Sequence, residues 1–291
     1  MASITEKNNP ETWDIDLQDG ENIARLINNE DKKVAAAIEK ILPQIGKALE
    51  EIAKRMHKGG RMAYFGSGTS GRIGILDASE MAPTFGVAET LIQGYISGGE
   101  KAIRYAVENA EDREDLAVED LVAFNPDKND VVVAISASGN PNYTAKVLQL
   151  AQEKGILTIA VSSNPEAVFK KYADIFLNPL LGAEAITGSS RMKSGTAQKM
   201  ILNMLSTGAM IKMGKTYHNY MIDLQISNLK LRQRAKEFVC EITGCDEKTA
   251  EKTLAECKSV KTACVMIAKS CSQKQAEEML AKNEGILRKI L

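Results

Sequence analysis

Between residues 61 and 177 the chain alternates short apolar runs with longer amphipathic ones. The apolar runs fall at 61–66, 91–97, 130–136, 156–162 and 174–177 and predict strands. Stretches at 71–81, 100–108, 114–123 and 141–154 carry apolar residues at helical spacing and predict helices. Val131-Val132-Val133-Ala134-Ile135 and Leu157-Thr158-Ile159-Ala160-Val161 are apolar nearly throughout, as parallel strands covered on both faces are. The alternation predicts an α/β fold built on a doubly wound parallel sheet, with ligands beyond the carboxyl ends of the strands. Gly66, Ser97, Ser136 and Ser162 fall at four of those ends.

Outside this region the pattern changes. Residues 3–19 are polar and include Pro10, Trp13 and Asp16, which predicts an ordered arm or a mobile tail rather than a helix. From Glu21 to His57 the apolar spacing is helical, and Gly59-Gly60 closes the block. A polar, Gly-rich segment, 182–196, opens a long helix through Ile211, and a further helix is predicted from His218 to Ile242. Short helices follow at Glu247–Cys257, Ser259–Ala268 and Gln273–Lys282, with a last one ending at Leu291. The expected organisation is an N-terminal arm with helices (1–53), a sheet domain (54–217) and a small helical C-terminal module (218–291).

Composition narrows the function. With 37 Lys and Arg against 38 Asp and Glu, the 291-residue chain has a net charge of -1, which gives no footing for a nucleic-acid partner. No apolar run is long enough to span a bilayer, and the first residues lack the basic and apolar regions of a signal peptide. The five cysteines all lie in the last quarter without a Cys-x-x-Cys, and the only histidines are His57 and His218. A disulfide framework and a zinc site are therefore not expected, and a reduced, cytoplasmic protein is.

The candidate chemistry sits at the strand ends. Gly66-Ser67-Gly68-Thr69-Ser70-Gly71-Arg72 joins a strand to a helix N-terminus, where free N–H groups and the dipole favour an anion. No Gly-Lys-Ser/Thr closes it, so it is not a nucleotide P-loop. Ser67, Thr69 and Ser70 suit a phosphate on a small molecule. Ser136-Ala137-Ser138-Gly139-Asn140-Pro141 is a second hydroxyl-bearing turn on the same edge, with Ser136 and Ser138 as candidate ligands. The third loop adds Ser189, Ser190, Arg191 and Lys193, whose cations are either solvated or ligands; Glu184 either meets substrate or caps a turn. Two carboxylates, Glu80 and Glu111, are candidates for acid–base work, which needs one group held neutral and one ionised. Burial beside Met81, Ala82 and Pro83 would favour the neutral form of Glu80, whereas Glu111 lies in a strongly acidic stretch.

Three of these segments carry a resemblance. Phe65 through Glu80, Ser97-Gly98-Gly99-Glu100 through Asp112, and Gly182 through Lys199 resemble the sugar-isomerase (SIS) domain, and more narrowly the family of N-acetylmuramic acid 6-phosphate etherases. The likeness runs from the Thr5-Glu6 and Asn9-Pro10 arm to about residue 230, departing mildly at Met81-Ala82-Pro83. It implies an SIS-type sheet and a cytoplasmic homodimer with no metal or organic cofactor. The implied reaction cleaves the D-lactyl ether of an amino-sugar phosphate. By motif position it implies Glu80 as the acid for the departing lactate oxygen and Glu111 as the base at C2, with a second carboxylate still open for that role. An aldose–ketose isomerase, or a sugar-phosphate-sensing regulator of the glucokinase regulatory type, is the alternative on the same fold.

Overall fold

The computed structural model describes residues 4–226 and 228–291. Three 3₁₀ turns (Ile4–Glu6, Pro10–Thr12, Ile15–Leu17) lead into α1 (Gly20–Glu39) and α2 (Leu42–Met56). There follow β1 (Met62–Gly66), α3 (Gly68–Ser79), α4 (Met81–Phe85), β2 (Ile92–Ile96), α5 (Gly99–Arg104) and a 3₁₀ turn (Ala110–Asp112). The chain continues through α6 (Glu114–Phe124), β3 (Val131–Ile135), α7 (Asn142–Glu153), β4 (Leu157–Val161) and β5 (Ile175–Leu177). It ends with α8 (Lys193–Lys212), β6 (Thr216–Tyr217), β7 (Tyr220–Met221), α9 (Leu229–Thr243), α10 (Glu247–Cys257), α11 (Val260–Lys269), α12 (Gln273–Lys282) and a 3₁₀ turn (Leu287–Lys289).

Two compact units form: Met1–Ser79 with Thr90–Ser206, and Glu80–Glu89 with Thr207–Leu291. In the first, five parallel strands lie in the order β2-β1-β3-β4-β5. The order reverses between β1 and β3, and at such a switch point the crossovers leave on opposite faces and open a crevice beyond the strand ends. Gly66 pairs in register with Ile96 on one side and Ile135 on the other, so the loops after β1, β2 and β3 start at one level of that edge. Every residue of β1, β3 and β4 is buried. On one face Phe65, Phe124, Val132, Tyr143, Val147 and Phe169 form a continuous core. On the other, the Tyr64 hydroxyl donates to Asp77 at 2.9 Å, and Lys199 donates to the same carboxylate at 3.0 Å, tying β1, α3 and α8 together.

The arm is ordered. Asn9 caps the Pro10–Thr12 turn by accepting from the Glu11 N–H, and Asp19 caps α1 by accepting from Asn22. Residue 3 of the expected arm lies outside the described residues. The helical block expected from Glu21 to His57 is two helices, because Pro43 has no N–H to continue a ladder and instead sits in the first turn of α2.

The second unit encloses its own core, in which Ile222, Leu224, Val239, Leu254, Val265 and Leu287 are buried. Two expectations fail here. The helix expected from His218 begins at Leu229, because β6 and β7 pair as an antiparallel ribbon with Tyr217 opposite Tyr220. His218 has φ 49 at its turn, and the Tyr220 ring packs on Phe238, which a helix through these residues would not allow. Residue 227, within the same expected helix, lies outside the described residues. The last expected helix is only the turn Leu287–Lys289, because Glu284 (φ 57) and Gly285 (φ 71) take the chain out of α12 in the left-handed region.

Candidate active site

The first loop is shaped by close backbone approach. The Ser67 carbonyl accepts from the N–H groups of Ser70 (3.1 Å) and Gly71 (3.4 Å), so α3 starts within two residues of the strand. A Cβ on Gly71 would lie 2.6 Å from the Gly66 carbonyl oxygen, and one on Gly66 would lie 2.6 Å from the Gly71 nitrogen. Only glycine fits at both. The buried Ser97 hydroxyl, at the end of β2, donates to Ser67 Oγ at 2.8 Å, while its N–H donates to the Gly66 carbonyl at 3.1 Å. Thr69 and Ser67 are half-buried and Ser70 is buried. With the Ser70 and Gly71 N–H groups taken by the Ser67 carbonyl, those of Gly68 and Thr69 are the first-turn donors that an anion at the start of α3 would meet. The Arg72 guanidinium is engaged with backbone, donating to the carbonyls of Ile103 (2.9 Å) and Tyr105 (3.3 Å).

The second loop is braced from below. Ser136 is buried, and its Oγ accepts from the Gly139 N–H at 3.0 Å; Ser138 is half-buried and accepts from Asn140 at 3.3 Å. Ser162 and Asn164, after β4, donate to the carbonyls of Ala137 and Ser138, both at 2.9 Å. Asn142, the first residue of α7, donates to the Asp112 carbonyl at 3.3 Å, so the turn carrying Glu111 is fastened to the end of this loop. Glu111 itself is exposed.

Of the three charged residues singled out from sequence in the third loop, Glu184 and Lys193 are internal. Glu184 is buried, and its oxygens accept from the N–H groups of Lys193 and Ser194, both at 2.9 Å, which caps α8. Lys193 is buried too, with Nζ 2.5 Å from Glu30 Oε2 and 3.0 Å from the Leu181 carbonyl. Ser189 and Ser190 are half-buried and Arg191 is exposed. Gly195 lies against α3: a Cβ built there would be 3.5 Å from the Thr69 methyl. The third loop thus meets the first.

Glu80, the first residue of the second unit, is exposed, so the burial that would favour its neutral form is not met. It is the cap residue before α4, whose Met81 and Phe85, four apart on one face, take the buried positions and leave Glu80 outside. Among the described residues no three His, Cys, Asp or Glu side chains converge as a metal site, and no helix is long and apolar enough to cross a membrane.

Sequence reasoning missed Glu30. Burial works against its carboxylate, but hydrogen bonds from Lys193 and Lys33, the Lys193 charge and a hydrogen bond with Asn9 outweigh it and hold the group below its ordinary value. The signal was present: Glu30 lies four and eight residues before Val34 and Ile38 on the buried stripe of α1. A carboxylate on an apolar stripe requires a partner.

Comparison with known proteins agrees with this architecture. Family models match for the glucokinase regulatory protein N-terminal SIS domain over residues 44–152, the SIS domain over 101–208 and the C-terminal lid domain of glucokinase regulatory protein over 218–257. The chain is 47% identical to an N-acetylmuramic acid 6-phosphate etherase of Glaesserella parasuis, covering 97% of this chain and 93% of that one. It is 48% identical to the etherase of Clostridium botulinum, covering 98% and 94%, and 47% identical to that of Clostridium beijerinckii, covering 99% and 95%. Among solved structures, a putative phosphosugar isomerase from Bacteroides fragilis aligns with a TM-score of 0.50 at 23% identity, over 66% of this chain and 90% of that one. A phosphoheptose isomerase from Francisella tularensis aligns with a TM-score of 0.50 at 15% identity, over 66% and 98%. These two likenesses show the fold.

Proposed function

The chain belongs to the N-acetylmuramic acid 6-phosphate etherase family, and from that premise we propose that it cleaves the D-lactyl ether of N-acetylmuramic acid 6-phosphate. The products are N-acetylglucosamine 6-phosphate and D-lactate, and the enzyme is a carbon–oxygen lyase. The observation that carries this reading is identity of 45–48% to etherases along nearly the whole chain, arm and C-terminal module included. The isomerase likenesses cover only the sheet unit's share of the chain at far lower identity and do not favour the alternative.

The chemistry asks for what the loops offer. With the sugar ring open, the C1 aldehyde acidifies the C2 proton; a base removes it, the enolate expels the C3 ether oxygen, and water adds to the unsaturated aldehyde. An alkoxide leaves poorly, so a positioned acid contributes about 10²–10⁴-fold. We assign Glu80 as that acid and Glu111 as the base. Ser67, Thr69 and Ser70 with the α3 N-terminus take the phosphate, while Ser136, Ser138, Ser189 and Ser190 meet the sugar. Holding the phosphate lets remote binding energy orient the reacting carbons. Exposed Glu80 and Glu111 are cleared of water only when substrate, or a second copy of the chain, covers them, and we read the enzyme as a cytoplasmic homodimer. Incubation with N-acetylmuramic acid 6-phosphate should release D-lactate, from a species sedimenting at twice the chain mass. A sugar-phosphate isomer without lactate would overturn the etherase reading, and a monomer with full activity the dimer.

A further inference from the structure

We propose that Lys193 is a positioning residue and not a substrate ligand: paired with Glu30, it fixes the loop of residues 182–192 that carries Ser189 and Ser190. A lysine that meets a phosphate must present an uncompensated ammonium to the crevice. The Lys193 side chain is 1% exposed and that of Glu30 2%. Two of its three donors are spent, on Glu30 Oε2 and on the Leu181 carbonyl at the start of the loop. Its charge is matched inside, and the other Glu30 oxygen receives Lys33 at 2.5 Å.

The same pair is the hub of a set of contacts that all end on this loop. Asn9, which also bonds Glu30, donates to the Ala183 carbonyl at 3.4 Å. Thr12 donates to the Ala185 carbonyl at 2.7 Å, and the Gly188 N–H donates to the Thr5 carbonyl at 3.2 Å. Glu184 grips the first two N–H groups of α8 from the loop itself. The arm and α1 therefore hold the loop on one side while Gly195 rests against Thr69 on the other. A shift in the loop would move Ser189 and Ser190 and change binding without touching the groups that move protons.

The proposal rests on the etherase reading for its kinetic arm only. Four proteins serve as the test: wild type, Glu30→Gln, Lys193→Met and the double variant Glu30→Met/Lys193→Met, which replaces the pair with apolar volume and keeps the fold. Amide exchange at residues 182–190 should quicken about tenfold or more in both single variants, with β3 amides unchanged. In D-lactate release, both singles should raise KM about tenfold or more with kcat altered about threefold at most, and the double should cost no more than either. A KM that rises for Lys193→Met but not for Glu30→Gln, or loop exchange that stays at the wild-type rate in both, would overturn the proposal and return Lys193 to the substrate. Absence of lactate from wild type would defeat the etherase reading alone, since the exchange arm decides the positioning role without turnover.

Discussion

Glu30 and Lys193 are the residues where burial and charge are most sharply opposed. Removing one partner leaves the other charge in the interior, at a cost of about 3–5 kcal/mol. Glu30→Met, which leaves the Lys193 ammonium on the Leu181 carbonyl, should therefore lower the unfolding free energy by that amount in a urea titration, whereas Lys193→Met, after which Lys33 still reaches Glu30, should cost less; a loss of under about 1 kcal/mol in Glu30→Met would show that the pair is not buried in solution. The pH dependence has a definite sign. The Glu30 carboxyl lies below its ordinary value of 4.5 when folded, so its contribution is full above pH 4.5. It is lost as pH falls through the folded value. The stability difference between wild type and Glu30→Gln should hold steady from pH 7 to 5 and shrink below that; a difference that grew on acidification would contradict the pairing. None of this was legible in Lys193 alone, because Gly-rich polar surroundings disguise a buried lysine as a surface one. It was legible in Glu30, whose place on an apolar stripe was overlooked.

Among the elements, the loop between β1 and α3 has little geometric freedom. Gly71 packs its Cα against the Gly66 carbonyl and Ile96, where an added Cβ would come within 2.6 Å of both. Backbone has to give for any side chain to fit, and the N–H groups proposed to meet the phosphate move with it. Gly71→Ala should weaken binding of N-acetylglucosamine 6-phosphate about 10–100-fold by calorimetry, with a structure that melts cooperatively. Binding at wild-type affinity would place the phosphate elsewhere. The five strands could be read from sequence because burial on both faces makes them continuous apolar runs. The β6–β7 ribbon could not: each strand is two residues long, too short for any period to register. Its tyrosines take the ribbon from packing, which outweighs the helical spacing around them. The base role proposed for Glu111 comes from the family motif, since its acidic neighbours make it one carboxylate among many, and the Asn142 contact shows why its turn lies beside the second loop.

At the scale of the whole molecule, the proposed chemistry falls to two carboxylates and the proposed binding to hydroxyls and helix N-termini on a sheet edge. The division of labour makes a separable prediction. An acid that serves only the departing oxygen is not needed for loss of the C2 proton, whereas the base is needed for both. The most direct measurement is mass spectrometry of N-acetylmuramic acid 6-phosphate turned over in H₂¹⁸O and in D₂O, wild type beside Glu80→Gln and Glu111→Gln. Wild type should place ¹⁸O at C3 of the sugar and deuterium at C2, with unlabelled D-lactate. Glu80→Gln should exchange the C2 proton and release no lactate, and Glu111→Gln should do neither. Label in the lactate, or a C2 proton retained through turnover, would contradict elimination and hydration altogether.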